Sequence, residues 1–271
     1  NEECAFNDYV RFVGDKIGVV AACDQETAER AARLVEVEYE ELPFSIGFDD
    51  TLAGKNCLDG ETPVRDEYTL EVGKKQESTE GLIEVCSTME LPRLHHATME
   101  THACIADYDP YSDMLTVYCP NQAVHGIRTV LADFLEMPES HVRVVKATMG
   151  GSFGAKQEWF LEPVTALVAK KLCRPVKLVY SRGEAMTDTI VRGAMRMSAR
   201  GYYTPDGEMK EIYCDVTLDA GAYIGNAGDY VRALAGKPTR CYRIPYMHYH
   251  GQVISSNSPV SGAFRSWSAA E

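Results

Sequence analysis

A glycine-rich stretch, Met149-Gly150-Gly151-Ser152-Phe153-Gly154-Ala155-Lys156-Gln157-Glu158, lies between two apolar runs of different character. Residues 142–146 before it alternate like a strand, and residues 159–169 after it are typical of a buried helix. A glycine-rich turn from strand to helix leaves backbone N–H groups free to bind an anionic or oxygen-rich ligand. The stretch is therefore the first candidate for a cofactor site.

Two familiar glycine motifs do not fit this turn. A P-loop requires Gly-x-x-x-x-Gly-Lys followed by Ser or Thr, and the sequence contains no such run. The dinucleotide fingerprint requires Gly-x-Gly-x-x-Gly at the start of a βαβ unit, and the spacing here differs. On these residues alone, a tight turn that binds no ligand stays open as an alternative.

Composition limits the class of protein. The 271 residues are 45% hydrophobic, which is enough for one large domain or two ordinary domains. A formal net charge of −13 argues against nucleic acid and anionic membrane surfaces as partners. The sequence has no signal peptide and no apolar run of 18 residues. We therefore expect a cytoplasmic protein that has no membrane partner.

The cysteines predict a reducing compartment. There are nine, an odd number, and no two of them form a Cys-x-x-Cys pair. Several lie inside apolar runs, as Cys104 and Cys119 do, which predicts buried reduced thiols. This usage argues against a disulfide framework and against an iron–sulfur cluster held by this chain.

The first part of the chain predicts a small unit of strands and one helix. Residues 9–23 predict a strand, a turn and a second strand, and Asp24 is expected to cap a helix that runs to Val35. Residues 35–43 alternate apolar and acidic side chains, which predicts an open-faced strand. Residues 44–82 are interpreted as loops and a connector. The domain boundary is therefore predicted after residue 82.

The second part is rich in strands. Strands are predicted at 83–90, 103–108, 114–119, 142–148, 176–181, 194–201, 208–218 and 247–256. Helices are predicted at 122–136 and 157–172. Pro205-Asp206-Gly207, between two strands, predicts a hairpin turn.

Three separated motifs carry a family resemblance. They are Met99-Glu100-Thr101-His102-Ala103 leading to Cys119-Pro120-Asn121-Gln122, then 150–157, then Gly262-Ala263-Phe264-Arg265-Ser266-Trp267. In this order they resemble the molybdenum-cofactor subunit of the xanthine dehydrogenase and aldehyde oxidase family. The opening unit is similar to that family's hammerhead domain.

The resemblance implies the fold. We expect an α+β protein in which a partial α/β hammerhead domain, residues 1–82, precedes the first half of a molybdopterin-binding domain with mixed sheets and helices, residues 83–271. Both would be incomplete, the first at its N-terminus and the second at its C-terminus. The chain would then be a fragment or a split subunit that is inactive alone.

The resemblance also implies chemistry and partners. A molybdenum centre held by a pterin dithiolene inserts water-derived oxygen at an electrophilic C–H carbon. Electrons then pass to [2Fe-2S] clusters and FAD on partner subunits or domains. Another subunit or segment would carry the rest of the molybdopterin domain and the catalytic base, so no catalytic residue is assigned to this chain.

The cofactor-binding residues are implied by their place in the motifs. Gln122 matches a glutamine whose amide donates towards a molybdenum ligand. Phe153 matches a residue whose backbone N–H faces the metal's oxygen, and Arg265 matches an arginine beside the cofactor. These three would lie near molybdenum without being ligands to it. The rest of the turn completes the site: Gly150, Gly151, Ser152 and Gly154.

Three positions are expected to face the substrate. Gln157 stands where typical xanthine enzymes carry a glutamate that shares a proton with a purine, and a glutamine offers only fixed donors and acceptors. Arg232 lies nine residues before Cys241, one residue off the family spacing, and suits an anionic or enol-forming substrate. Trp267 stands where an aromatic ring stacks on a flat heterocycle.

Three functions stay open. The first is hydroxylation of an N-heterocycle, either a purine such as xanthine or a pyridine carboxylate. The second is an aldehyde oxidoreductase of the same family, and the third is a non-catalytic scaffold. A metal site formed by His95, His96 and His102 is disfavoured, because the family's molybdenum takes no histidine ligand. Glu100 and His102 are instead expected to hold a buried, hydrogen-bonded turn.

Overall fold

The computed structural model describes residues 6–60 and 62–267. Within them the chain forms two compact units, each built from two separate stretches. Unit 1 comprises residues 6–42 together with His96–Thr189, and unit 2 comprises Pro43–His95 together with residues 190–267. The domain boundary after residue 82 stays a prediction.

The elements follow in chain order. The strands of the described residues are β1 Val64–Gly73, β2 Ile83–Leu91, β3 Ala103–Asp109, β4 Met114–Cys119, β5 Val142–Lys146, β6 Val176–Val179, β7 Ala194–Tyr203, β8 Met209–Asp219 and β9 Tyr246–Ile254. The α-helices are α1 Gln25–Ala32, α2 Phe48–Leu52, α3 Val124–Phe134, α4 Glu162–Leu172, α5 Arg182–Asp188, α6 Ala227–Ala235 and α7 Pro238–Cys241. Short 3₁₀ turns occupy Leu58–Gly60 and Glu139–His141.

Unit 1 is organised by a four-stranded sheet in the order β5-β4-β3-β6. Strands β4 and β5 are parallel, and α3 lies between them in sequence as the crossover. Alternate residues of β3 and β4 face the core, so Ala106, Leu115 and Val117 are fully buried. Helices α3 and α4 supply the facing apolar residues Ile127, Leu131, Ala166 and Ala169.

Unit 2 is organised by a five-stranded sheet in the order β1-β9-β8-β7-β2. Strands β8 and β9 are parallel, and the other pairs are antiparallel. Helix α6 packs Val231 and Leu234 on a core that contains Met195, Leu218 and Met247. The hairpin at 205–207 is confirmed, because β7 and β8 pair on either side of it and Thr204 N donates to Glu208 O over 2.9 Å.

The strands expected in the opening segment are wrong. No strand lies within residues 6–47, so neither 9–23 nor 35–43 forms one. A strand needs a hydrogen-bonding neighbour, and these apolar stretches remain exposed, with Val13, Leu34 and Tyr39 mostly in solvent. The cap at Asp24 is confirmed, since its side chain accepts a 2.8 Å hydrogen bond from Thr27 N.

The interpretation of residues 44–82 as loops is wrong in part, because the segment holds α2 and the ten-residue β1. Strand β1 carries only two apolar side chains, Tyr68 and Leu70, that pack on the core, which weakens its sequence signal. Its pairing with β9 along its whole length supplies the order that its own pattern lacks.

The helix expected from residue 157 starts at Glu162 instead, with Pro163 in its first turn. Gln157 and Glu158 therefore lie in the preceding turn and not on a helix. The cysteine prediction holds in part. Every described cysteine is free, and only Cys104 and Cys119 among them are fully buried; the exposed ones are Cys23, Cys86, Cys173 and Cys241.

Candidate cofactor site

The glycine-rich turn follows β5 and adopts a conformation that suits glycine. Gly151, Phe153 and Gly154 have φ angles of 102°, 54° and 106°. A Cβ on Gly151 would lie 3.5 Å from the Phe153 ring. Among the described residues, the backbone N–H groups of Gly151, Phe153 and Gly154 donate to no acceptor. The turn therefore presents three backbone donors, which fits an oxygen-rich or anionic group.

Gln122 lies against this turn, and its predicted role towards a molybdenum ligand stays a prediction. Its backbone N–H donates to Lys156 O over 2.7 Å, and its side-chain Oε1 accepts a short hydrogen bond from Ser152 Oγ. Because Ser152 occupies the carbonyl end of the carboxamide, the NH₂ end is directed away from Ser152 and can donate to a ligand. The sequence motifs around 122 and 150–157 are thus in direct contact.

The expected buried turn around Glu100 and His102 is confirmed in part: it is hydrogen-bonded, but only His102 is buried and the Glu100 side chain is 35% exposed. Glu100 Oε2 accepts from Gly150 N over 2.6 Å and lies 2.5 Å from Lys156 Nζ. His102 is buried, and its Nε2 lies 3.0 Å from Ala155 O. Burial alone would raise the pKa of Glu100, but the hydrogen bonds from Lys156 and Gly150 outweigh it and lower that pKa below its ordinary value.

Two further buried residues support Gln122 from the core side. Asn121 donates from Nδ2 to Glu158 O over 2.7 Å and accepts from Ala123 N over 2.8 Å. Glu162 accepts from Phe160 N over 3.0 Å, and its burial raises its pKa. Sequence reasoning missed Asn121, Glu162 and Lys156. Asn121 and Lys156 lie inside the quoted motifs, which was the available signal.

Cys119 precedes Gln122 but is not poised for chemistry. Burial, followed by the nearby Glu162 carboxyl, raises the pKa of its thiol to about 12. A thiol with that pKa stays protonated at neutral pH and is therefore not a nucleophile. Within residues 6–60 and 62–267, no group of three or more His, Cys, Asp and Glu side chains could hold a metal ion.

The third motif belongs to unit 2. The start of this motif is held by two backbone hydrogen bonds. Ser261 N donates to Ala220 O over 2.7 Å, and Gly262 N donates to Val191 O over 2.9 Å. Arg265 is exposed and makes no ion pair with any residue that the structure describes. Trp267 is 39% exposed, and its N–H donates to Phe264 O. Both side chains are therefore accessible to a ligand.

A buried carboxylate organises the segment that leads to Arg265. Asp219 lies 2.8 Å from Arg93 Nη2, accepts from Gly221 N over 2.9 Å and contacts Ser256 Oγ at 2.7 and 2.8 Å. Gly221 has a φ of 81°, and a Cβ there would lie 2.2 Å from Pro259 O. The close approach of these chains therefore requires glycine at this position.

The three positions predicted to face the substrate are divided between the units. Gln157 is exposed at the end of the glycine turn in unit 1. Arg232 lies on α6 in unit 2, where it makes a two-pronged ion pair with Asp66 at 2.8 and 2.9 Å. Arg232 therefore already shares its charge with a carboxylate. The roles of Gln157, Arg232 and Trp267 towards a substrate stay predictions.

Comparison with known proteins identifies the family. Residues 61–271 match the model of the molybdopterin cofactor-binding domain, and residues 1–43 match the a/b hammerhead domain of aldehyde oxidase and xanthine dehydrogenase. The chain belongs to the xanthine dehydrogenase and aldehyde oxidase family. It carries that family's molybdopterin cofactor-binding domain, and the predicted α+β fold class is confirmed.

Individual relatives agree with this assignment. The chain is 31% identical over 267 residues to the nicotinate dehydrogenase large molybdopterin subunit of Eubacterium barkeri, which covers 98% of this chain and 63% of that protein. It is 31% identical over 271 residues to the xanthine dehydrogenase molybdenum-binding subunit of Escherichia coli O157:H7, covering 96% of this chain and 35% of that protein. The chain thus spans between about a third and two thirds of the length of these relatives.

Solved structures share the fold. Quinoline 2-oxidoreductase from Pseudomonas putida 86 superposes with a TM-score of 0.87 at 24% identity, over 97% of this chain and 35% of that one. Aldehyde oxidoreductase from Desulfovibrio gigas superposes with a TM-score of 0.84 at 22% identity, over 91% of this chain and 28% of that one.

None of the described helices is long and apolar enough to cross a membrane.

Proposed function

We propose that this chain binds the molybdopterin cofactor of a hydroxylase that inserts water-derived oxygen at an electrophilic C–H carbon of an N-heterocycle. The observation that carries the proposal is the turn at 150–154, whose open N–H groups lie beside the carboxamide of Gln122. When bound, the molybdenum of this cofactor supplies the oxygen-transfer and two-electron chemistry.

The residues of this chain bind and orient the cofactor. The N–H groups of Gly151, Phe153 and Gly154 would donate to oxygen atoms of the cofactor, and glycine at 151 and 154 leaves room for close approach. Ser152 holds Gln122 so that its NH₂ group donates. Arg265 adds a cation on unit 2, where it has no competing carboxylate among the described residues.

A flat N-heterocycle is the substrate class that the remaining residues favour. Trp267 offers an accessible indole for stacking, and Gln157 offers an NH₂ group that donates and a carbonyl oxygen that accepts. The relatives named as nicotinate and xanthine dehydrogenases support this class. We propose purines such as xanthine and pyridine carboxylates as the compounds to test.

An aldehyde is the second candidate substrate. Gln157 cannot share a proton with a purine as a carboxylate would, and Asp66 offsets the charge of Arg232 that would stabilise an anionic ring. Both observations weaken selection for xanthine and leave a neutral carbonyl substrate compatible with the site.

We further propose that the chain works within a complex. A second polypeptide or segment would complete the molybdopterin domain and supply the catalytic base. An iron–sulfur partner and an FAD partner would take the electrons. The relatives named as large or molybdenum-binding subunits support such an assembly.

Metal analysis of the natively purified complex tests the proposal. We expect about one molybdenum per chain, with iron from co-purifying subunits. An intact complex without molybdenum would instead favour the non-catalytic scaffold. Rates with xanthine, nicotinate and benzaldehyde then separate the two substrate classes, because the heterocycle proposal requires the higher kcat/KM on one of the first two.

A further inference from the structure

An ion pair between the buried Lys156 and the half-buried Glu100 lies directly behind the glycine-rich turn. Lys156 is 1% exposed, which is rare for a lysine, and its Nζ lies 2.5 Å from Glu100 Oε2. A buried ammonium group is tolerated only where a carboxylate and hydrogen bonds compensate for its lost hydration. Replacing either partner therefore leaves an uncompensated charge beside the turn.

Lys156 connects the separate motifs. Its side chain binds Glu100 of the first motif, and its carbonyl oxygen accepts from Gln122 N over 2.7 Å. Its own N–H donates to Ser152 Oγ over 3.2 Å, and Ser152 in turn donates to Gln122. Glu100, Lys156, Ser152 and Gln122 thus form one continuous chain of hydrogen bonds.

Glu100 also selects which backbone donors of the turn stay open. Its carboxylate takes the N–H of Gly150, while those of Gly151, Phe153 and Gly154 remain available. Without Lys156, this carboxylate would be an unneutralised anion at a turn that binds an oxygen-rich group. Without Glu100, the remaining charge would be positive and would attract the same group.

We propose that Glu100 and Lys156 are positioning residues. Their ion pair preforms the turn, and Lys156 neutralises the Glu100 carboxylate before the cofactor binds. The proposal rests on the proposed function. Its distinctive consequence is that the loss of molybdenum depends on the sign of the charge that remains. The anion left by replacing Lys156 should cause a larger loss than the cation left by replacing Glu100. Loss of packing alone would not distinguish the two.

Three variants of the full chain, purified with its partners, test this order. Lys156→Met should lower the molybdenum content per chain about tenfold, which is the effect of one charged hydrogen bond. Glu100→Gln, which keeps an acceptor for Gly150 N, should lower it by no more than about threefold. The double variant Glu100→Gln with Lys156→Met should regain molybdenum relative to Lys156→Met alone.

Lys16→Met is the matched control. Lys16 forms a buried ion pair with Asp188 in the same unit, at 2.9 Å, beside the ring of Phe160 and on the far side of His102 from the turn's Gly150 contact with Glu100. This variant should lower thermal stability as Lys156→Met does, yet retain its molybdenum. A comparable loss of molybdenum in Lys16→Met, or a double variant as empty as Lys156→Met, would overturn the positioning role.

Hydrogen exchange separates this inference from the proposed function. In metal-free protein, Lys156→Met should speed exchange in peptides that contain Gly150 and Gln122, whereas Lys16→Met should leave them unchanged. A wild-type complex without molybdenum would defeat the proposed function, while the exchange experiment would still decide the role of the ion pair. Unchanged exchange in those peptides would contradict preformation of the turn.

Discussion

Two ion pairs, one in each unit and each with one buried partner, support motif segments in opposite ways. In unit 1 the buried partner is the cation, Lys156, and its carboxylate on Glu100 is 35% exposed. In unit 2 the buried partner is the anion, Asp219, which Arg93, Gly221 and Ser256 surround with donors. The pair of unit 1 adjoins open backbone donors, and the carboxylate of unit 2 is saturated. The first should therefore govern ligand binding and the second should govern stability.

The largest effect, on the free energy of unfolding, is expected when the buried carboxylate of unit 2 is removed. Asp219→Ala should lower the free energy of unfolding by about 3–5 kcal/mol, because it leaves buried donors without an acceptor. Chemical denaturation measures this change. Ser256→Ala, which removes one of the donors, should cost only about 1 kcal/mol. Equal losses in the two variants would contradict the central role of Asp219.

The next largest effect, on molybdenum content, is expected when a side chain fills the glycine-rich turn of unit 1. Gly151→Val should lower molybdenum content at least about tenfold, because a branched side chain at a φ of 102° strains the turn and fills the space beside Phe153. Gly207→Val is the control, since Gly207 has a φ of 91° and open space around it. Both variants should be similarly destabilised, and only the first should lose molybdenum. Full molybdenum content in Gly151→Val would remove the turn from the cofactor site.

A smaller effect concerns the substrate side of unit 2. Trp267→Ala should raise KM for a flat heterocycle about two- to tenfold, the value of one aromatic stacking contact. Molybdenum content should stay constant, because the indole is assigned to the substrate and not to the cofactor. Steady-state kinetics with a heterocycle and with benzaldehyde measure the difference. Unchanged kinetics would take Trp267 out of the site.

The smallest effect is the pH dependence of the Glu100 contribution. The folded-state pKa of Glu100 lies below its ordinary value of about 4.5, so its contribution to stability is present above that pH. The contribution is lost as the pH falls through the lowered pKa. Wild type and Glu100→Gln should therefore differ by up to about 1 kcal/mol at neutral pH and converge in acid. A difference that grows on acidification would contradict the direction of the pKa shift.

Most of the strands follow from the sequence, since alternating apolar residues predict buried faces in β3, β4, β7 and β8. The opening segment shows why the remainder does not. Residues 9–23 carry a strand pattern, but pairing depends on a neighbour that the pattern does not specify. Conversely, β1 has only two apolar side chains that pack on the core, Tyr68 and Leu70, and is ordered by β9. Helix α5 was missed although Ser181 and Glu184 form its capping box, a signal readable from sequence.

The candidate site was likewise predictable from the sequence only in part. Motif order predicted the turn and Gln122, and the structure brings them into contact. Burial of the charged Lys156 could not be predicted, because lysine is ordinarily a surface residue and its partner lies 56 positions away. The pairing of Arg232 with Asp66, 166 positions apart, was hidden for the same reason.

The strand order of unit 2 has a consequence during synthesis on the ribosome. Val64 of β1 pairs with Ile254 of β9, and Ile83 of β2 pairs with Tyr203 of β7. At about 5–20 residues per second, the ribosome needs roughly 10–40 s to travel from β1 to its partner. For that time β1 is a nascent strand with an unpaired edge, a target for chaperones and for aggregation. Slower initiation should therefore raise the soluble yield, because fewer nascent chains with an unpaired β1 are present at one time.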